Sequence, residues 1–206
     1  MTDLKTLVQA AEDIAKIGGA HTLKYFKKDF EVISKADDSP VTIADRETEM
    51  IIRNEIEKRF PTHGIIGEEY GITRPEAEVQ WVLDPIDGTK SFIHGVPFYT
   101  TLIGIMINKE PMVGVINAPA LDECCVAGIG MGAYFNGKPC SVRETKEMSE
   151  ATLLVTEIKR FQDFPWFEND QIYASYIEPF NQCKTINNYL LKIKFIKEYL
   201  YCLIIV

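Results

Sequence analysis

Two stretches of helical periodicity come first in this chain, and a series of short strand-like segments follows. This order constrains the fold more than any other feature. Residues 3 to about 28 place Leu4, Leu7, Val8, Ala11, Ile14 and Ala15 at i, i+3, i+4 spacing, with Thr2 or Asp3 as cap. A second helix is predicted from about Asp45 to Phe60, with Thr48, Ile51, Ile52, Ile56 and Phe60 along one side; Pro61 and Gly64 end it. Short strands are predicted at Glu31–Ser34, Ile65–Ile66 and Trp81–Asp84, the last stopped by Pro85. Phe98–Ile107, Val113–Ile116, Glu123–Ala127, Ala133–Phe135 and Leu153–Thr156 continue the series. Asn108–Glu110 and Asn136-Gly137 read as turns. Helices first and hairpin-linked strands afterwards predict an α+β domain, helices layered on an antiparallel sheet, rather than a doubly wound βαβ sheet.

Composition allows such a core. Of 206 residues, 46% are hydrophobic and 25% charged, so the chain can bury a core without disulfide staples. The formal charge of −8 argues against nucleic acid as a partner and against a polybasic membrane anchor. No apolar run reaches the roughly 18 residues of a membrane span, and Asp3, Glu12 and Asp13 interrupt any leader-like start. Five cysteines without a CxxC pair predict reduced thiols and a cytoplasmic location.

The chemistry-bearing stretch is Asp84-Pro85-Ile86-Asp87-Gly88-Thr89. Asp84 emerges where an apolar strand ends, Pro85 removes a backbone donor, and Gly88 allows a sharp turn. Two close carboxylates repel one another unless a proton or cation lies between them. Oxygen donors without a neighbouring Cys or His suit a hard ion such as Mg²⁺, and the carbonyl of Ile86 adds another oxygen. A helical turn starting near Asp87 or Gly88 would aim free N–H groups at an anion, so the set describes a phosphate-ester site. The same hexapeptide also reads as a plain polar turn. Glu68 or Glu69 emerges from the strand Ile65-Ile66, with a solvated loop as the plainer reading. Asp45 starts the second helix, where capping alone would account for it.

These pieces together resemble the inositol monophosphatase family of metal-dependent phosphatases. The resemblance spans residues 4 to about 160 and rests on SPVTIAD (39–45), HGIIGEE (63–69), WVLDPIDGTKSF (81–92) and GAYFNGKP (132–139), in matching order and spacing. It implies a layered sugar-phosphatase-type fold. It also implies Glu68, Asp84, Asp87 and the Ile86 carbonyl as metal ligands, with Mg²⁺ as cofactor. Thr89 and Asp45 would position the attacking water. The phosphate would lie against Glu68, Ile86, Asp87, Gly88 and Thr89, with the amides of Gly88 and Thr89 cradling it. The implied reaction is in-line hydrolysis of a small phosphate monoester by metal-activated water, without a phosphoenzyme. This separates the chain from haloacid-dehalogenase-type phosphatases, whose D-x-D nucleophile is absent because two residues part Asp84 from Asp87. SPVTIAD, HGIIGEEYG and DGTKSFIHGVPFYTTLIG look more like the histidinol-phosphatase-like branch than the animal inositol branch. Histidinol phosphate is therefore the expected substrate and myo-inositol monophosphate the alternative. The family's habit of homodimerising is carried with the resemblance.

The later sequence departs from that pattern. All 13 glycines lie between Gly18 and Gly137. After Arg160 there is no Trp-Asp pair; Trp166 precedes Phe167, and Asp170 and Glu178 stand in no matching context. The final 24 residues carry four lysines and one glutamate and end in an apolar run. The expectation is a phosphatase lobe at 1–160 and an incomplete or atypical segment at 161–206. On this reading the second lobe is truncated, and the residues from about Asn181 are read in another frame or replaced. A non-catalytic remnant that binds metal without turnover is the rival reading, and a protein whose acidic loops merely solvate is a third. Gly128-x-Gly130-x-Gly132 reads as a hairpin turn, not a nucleotide loop. His21, His63 and His94 read as structural or surface residues, Lys35 as solvated, and one of Cys124 and Cys125 as a packed hydrophobe.

Overall fold

The computed structural model describes residues 3–28, 32–34, 40–141, 153–154 and 204–205. Two compact units divide the chain, Met1–Cys140 and Ser141–Val206. In the second unit Leu153–Leu154 pairs antiparallel with Ile204–Ile205. Lys35, Thr156, Trp166, Asp170 and Glu178 lie outside the described residues.

Helix α1 spans Leu4–Thr22, and Asp3 caps it by accepting the Lys5 N–H at 2.7 Å. It ends before the predicted residue 28. The Thr22 hydroxyl turns back onto the Gly19 carbonyl at 2.7 Å, and the amides of Lys24 and Tyr25 bond three residues back to His21 and Thr22. These tighter turns lead the chain off the helix axis. Helix α2 spans Ile43–Arg59, capped by Thr42. Its inner face differs from the expected one: Thr48, Ile52 and Ile56 are buried, Ile51 is half-exposed, and Glu49 is fully buried.

The strands are β1 (Val32–Ser34), β2 (Pro40–Thr42), β3 (Gly64–Gly67), β4 (Gly71–Thr73), β5 (Val79–Asp87), β6 (Thr100–Ile107), β7 (Glu110–Ala118), β8 (Glu123–Gly128), β9 (Gly132–Phe135) and β10 (Lys138–Cys140). β1 and β2 form a separate antiparallel pair. The other eight make one sheet in the order β10-β9-β8-β7-β6-β5-β3-β4. All its neighbours are antiparallel except β3 and β5, which run parallel. The layered α+β architecture expected from the order of patterns is therefore present. The turns behave as their residues predict. Asn108 and Lys109 (φ 52° and 68°) and Asn136 and Gly137 (φ 47° and 75°) take the left-handed conformations of tight hairpins.

Pro85 does not stop β5. The strand runs on to Asp87, with its register against β6 slipping between Asp84 and Asp87. A bulge tolerates proline because its extra residue stands outside the ladder. The Pro85 carbonyl is satisfied instead by the Thr101 hydroxyl at 2.9 Å.

One face of the sheet carries the core. Leu7, Ala11 and Ile14 from α1, with Ile52 and Ile56 from α2, pack on Trp81, Leu83, Ile103, Ile105, Val113, Val115 and Val126. Cys124 joins this core, as one of the cysteine pair was expected to, while Cys125 is half-buried. Among the described residues no helix is long and apolar enough to cross a membrane.

Candidate active site

The parallel pairing of β3 and β5 sets the first contact of the site. Gly67 lies opposite Leu83, so Glu68, just past the end of β3, comes beside Asp84, which is still within β5. The Glu68 carboxyl lies near enough to Asp84 to push the Asp84 carboxyl upward. A smaller core beneath brings α2 to the same place. Ile86 and Ala44, both buried, pack with Phe92 and Tyr99, and Ala44 precedes Asp45. The Ile86 side chain thus ties the bulge of β5 to the first turn of α2.

Asp45 belongs to a capping box. Its Oδ2 accepts the Thr42 amide at 2.8 Å and the Thr42 hydroxyl at 2.6 Å, while the Thr42 oxygen accepts the Ala44 amide at 3.1 Å. Capping was the plainer of the two readings of Asp45, and the geometry contains it. Burial nevertheless pushes the Asp45 carboxyl up to about 6, and the Glu69 charge pushes the same way. Asp45 is therefore both a cap and a member of an acidic cluster.

Asp84 holds the centre of that cluster. Its Oδ1 is shielded from solvent and has no hydrogen-bond partner. Burial pushes its carboxyl well above the usual range, and the charges of Asp87, Glu68 and Asp45 add to the push. Asp87 ends β5 and Gly88 follows in the left-handed conformation (φ 88°, ψ 38°), where a Cβ would lie 3.1 Å from the Phe98 carbonyl oxygen. Thr89 opens the five-residue helix α3, Thr89–Ile93, and its hydroxyl donates to the Ile86 carbonyl at 3.1 Å.

Glu68, Asp84, Asp87 and Asp45 thus come together, with Ile86, Gly88 and Thr89 on the adjoining turn. Thr89 and Asp45 do not meet through their own hydrogen bonds, which run to Ile86 and Thr42. Among the described residues no three His, Cys, Asp or Glu side chains are gathered as a ready-made ion cage. The donor chemistry still suits a hard divalent cation. The donors are all oxygen, Asp84 Oδ1 is buried and unpartnered, and the neighbouring charges repel until a cation offsets them.

The remaining histidines have local work. His63 accepts the Trp81 indole N–H at 3.0 Å, His21 meets Glu47 at 3.1 Å, and exposed His94 contacts the Lys90 carbonyl at 2.7 Å. Gly128 to Gly132 form the β8–β9 turn, as expected.

The sequence left open which glutamate of the GEE motif joins the acids; Glu69 presses on Asp45 and Glu68 on Asp84, so both face the cluster. One residue beside the site, Glu49, was not singled out from sequence; it lies beneath them with its side chain fully buried. Its one sequence signal is Arg53 four residues later, a spacing that exposed helix pairs share.

A carboxylate-lined, all-oxygen site at the ends of β3 and β5 in a layered α+β sheet defines the class of protein. The sequence profile of the inositol monophosphatase family matches residues 3–175, and the chain belongs to that family. It is 43% identical over 159 residues to a histidinol-phosphatase of Chlorobaculum parvum, covering 77% of this chain and 61% of that protein. It is 36% identical over 164 residues to inositol monophosphatase 1 of Solanum lycopersicum, covering 78% of this chain and 60% of that protein. A solved inositol monophosphatase from Anabaena (Nostoc) sp. PCC 7120 superposes with a TM-score of 0.64 at 34% identity, covering 73% of this chain and 54% of that one. The chain thus spans about 60% of the length of these two curated relatives.

Proposed function

We propose that this chain carries the metal-binding, phosphate-cleaving lobe of a Mg²⁺-dependent phosphate monoester hydrolase, with histidinol phosphate as substrate. The observation that carries the reading is Asp84. A buried, unpartnered carboxylate oxygen among three further acids is costly unless a proton or a cation completes it, and the all-oxygen donor set suits a hard cation.

In this reading Glu68, Asp84, Asp87 and the Ile86 carbonyl hold the metal. When bound, Mg²⁺ lowers the pKa of a coordinated water and offsets charge on the phosphate oxygens. The Gly88 and Thr89 amides and the Asp87 end of β5 receive the phosphate. Gly88 has no side chain, so an anion can approach the backbone. Asp45 and Thr89 position the attacking water. Even at the metal-free value of about 6 the Asp45 carboxyl is mostly ionised at neutral pH, so it can accept a hydrogen bond from that water. The ester P–O bond breaks, the alcohol leaves with a proton, and no side chain is phosphorylated.

The 43% identity to a histidinol-phosphatase supports histidinol phosphate. The inositol monophosphatases among the relatives support myo-inositol monophosphate as the alternative substrate of the same site. Phosphate release from the two esters, side by side and with and without Mg²⁺, tests the reading. Mg²⁺-dependent release, faster with histidinol phosphate and abolished by Asp84→Asn, is the expected result. Faster release from the inositol ester moves the substrate to the alternative. No release from a folded chain replaces hydrolysis with metal binding without turnover.

A further inference from the structure

Glu49 is a fully buried acid in the middle of α2, outside the set that would hold metal or water. A buried carboxylate is destabilising unless its oxygens are fully engaged. Here three donors engage them. The Glu69 amide donates to Oε2 at 2.7 Å, the Tyr70 amide to Oε1 at 3.2 Å, and the Arg53 Nε to Oε1 at 2.8 Å. Two of these donors belong to the three-residue turn between Gly67 and Gly71 that carries Glu68 and Glu69.

Arg53 completes the grip from the next helical turn. Its Nη1 donates to the Thr73 hydroxyl at 2.9 Å, and its Nη2 to the Gly71 carbonyl. Thus one helical pair, Glu49 and Arg53, holds the tip and the β4 side of the β3–β4 hairpin. Gly67 leaves room for the pair: a Cβ there would lie 1.9 Å from Glu49 Oε1. Outward from this grip, Glu68 lies beside Asp84 and acts on its carboxyl, and the Glu69 charge acts on Asp45.

We propose that Glu49 is a positioning residue: clamped by Arg53, it fixes the Glu68–Glu69 turn against the Asp84 cluster and thereby sets the affinity of the site for a divalent cation. The inference rests on the metal-binding reading above. Partners one shell outside a metal site typically carry about 10- to 100-fold in affinity. Glu49 restrains the turn directly, through the Glu69 and Tyr70 amides.

The test is a Mg²⁺ titration of the full chain, following the thermal midpoint with the metal alone. In Glu49→Gln the fold is retained, one amide loses its acceptor, and the Mg²⁺ concentration giving half the stabilisation rises about tenfold. Arg53→Gln, which leaves the carboxylate in place but unclamped, raises it by a smaller factor and serves if Glu49→Gln does not fold. A merely structural role would lower the metal-free midpoint of either variant and leave the Mg²⁺ dependence unchanged, which overturns the inference. A double variant separates the routes further. With Glu68→Gln already present, adding Glu49→Gln shifts the Mg²⁺ dependence less than it does alone; an undiminished shift contradicts action through the turn. Wild type and Asp84→Asn run alongside. If wild type gains nothing from Mg²⁺, the metal-binding reading itself fails and takes this one with it. If wild type responds, Asp84→Asn does not, and Glu49→Gln matches wild type, only the positioning role falls.

Discussion

Strand β5 passes through two regions governed by opposite physics. At Trp81 and Leu83 it lies in a dry layer under α1 and α2, where burial of apolar surface favours folding. Within a few residues, at Asp84 and Asp87, it enters a cluster of like charges whose burial opposes folding. The same strand and the same pairing with β6 serve both. The bulge at Pro85 divides them, ending the regular ladder where the acids begin. The core therefore carries stability the cluster gives up, and a change in one region should leave the other's property alone.

The largest effect expected from breaking this division is in the core. Trp81 fills its centre and donates to His63 at 3.0 Å. Trp81→Ala is expected to cost about 3–5 kcal/mol in denaturant unfolding, through cavity formation. A loss below about 1 kcal/mol would show that the layer is not packed as described.

The next largest concerns pH in the metal-free protein. Asp45 holds its proton up to about pH 6 when folded, against 3.8 as the ordinary value. The folded state therefore binds the proton more tightly. The stability this group contributes is full below about pH 4 and is lost as pH rises through about 6. Measured by urea unfolding in a chelator, wild type should lose up to about 3 kcal/mol relative to Asp45→Asn between pH 4 and pH 7. Parallel pH profiles for the two proteins would remove Asp45 from the cluster.

A smaller change sharpens the comparison from the core side. Ile103 is buried on β6, opposite Leu83. Ile103→Val should cost about 1 kcal/mol of stability and leave the Mg²⁺ dependence of the thermal midpoint unchanged. A shift in that dependence would mean that the two regions are coupled.

The legibility of the sequence follows the same division. The 3.6-residue periods of α1 and α2 and the Asn-Gly turn at 136–137 are local signals, and the structure has both helices and the hairpin. The acids at 84 and 87 are legible because two close carboxylates next to an apolar run call for a proton or a cation, although the same stretch also reads as a polar turn. What brings them to Glu68 is the parallel register of β3 on β5, which no local pattern encodes. Pro85 inside a strand ran against the usual rule because the bulge depends on Thr101, sixteen residues away, to satisfy a carbonyl. Glu49 was hidden for a similar reason. In RETEMIIRNEIEKR it is one of many charged positions on a polar helix, and its burial comes from the hairpin that closes over it.

The measurement that bears most directly on the account is the thermal midpoint of the full chain with and without Mg²⁺, for wild type and Asp84→Asn. Wild type should rise by roughly 5–10 °C at a hundredfold excess over Kd, since a ligand of the folded state alone stabilises it. Asp84→Asn should match or exceed wild type without metal, because a buried carboxyl that repels its neighbours whenever it ionises is gone, and gain nothing when Mg²⁺ is added. No rise in wild type, or an equal rise in both proteins, would contradict the claim that the Asp84 cluster is a cation site.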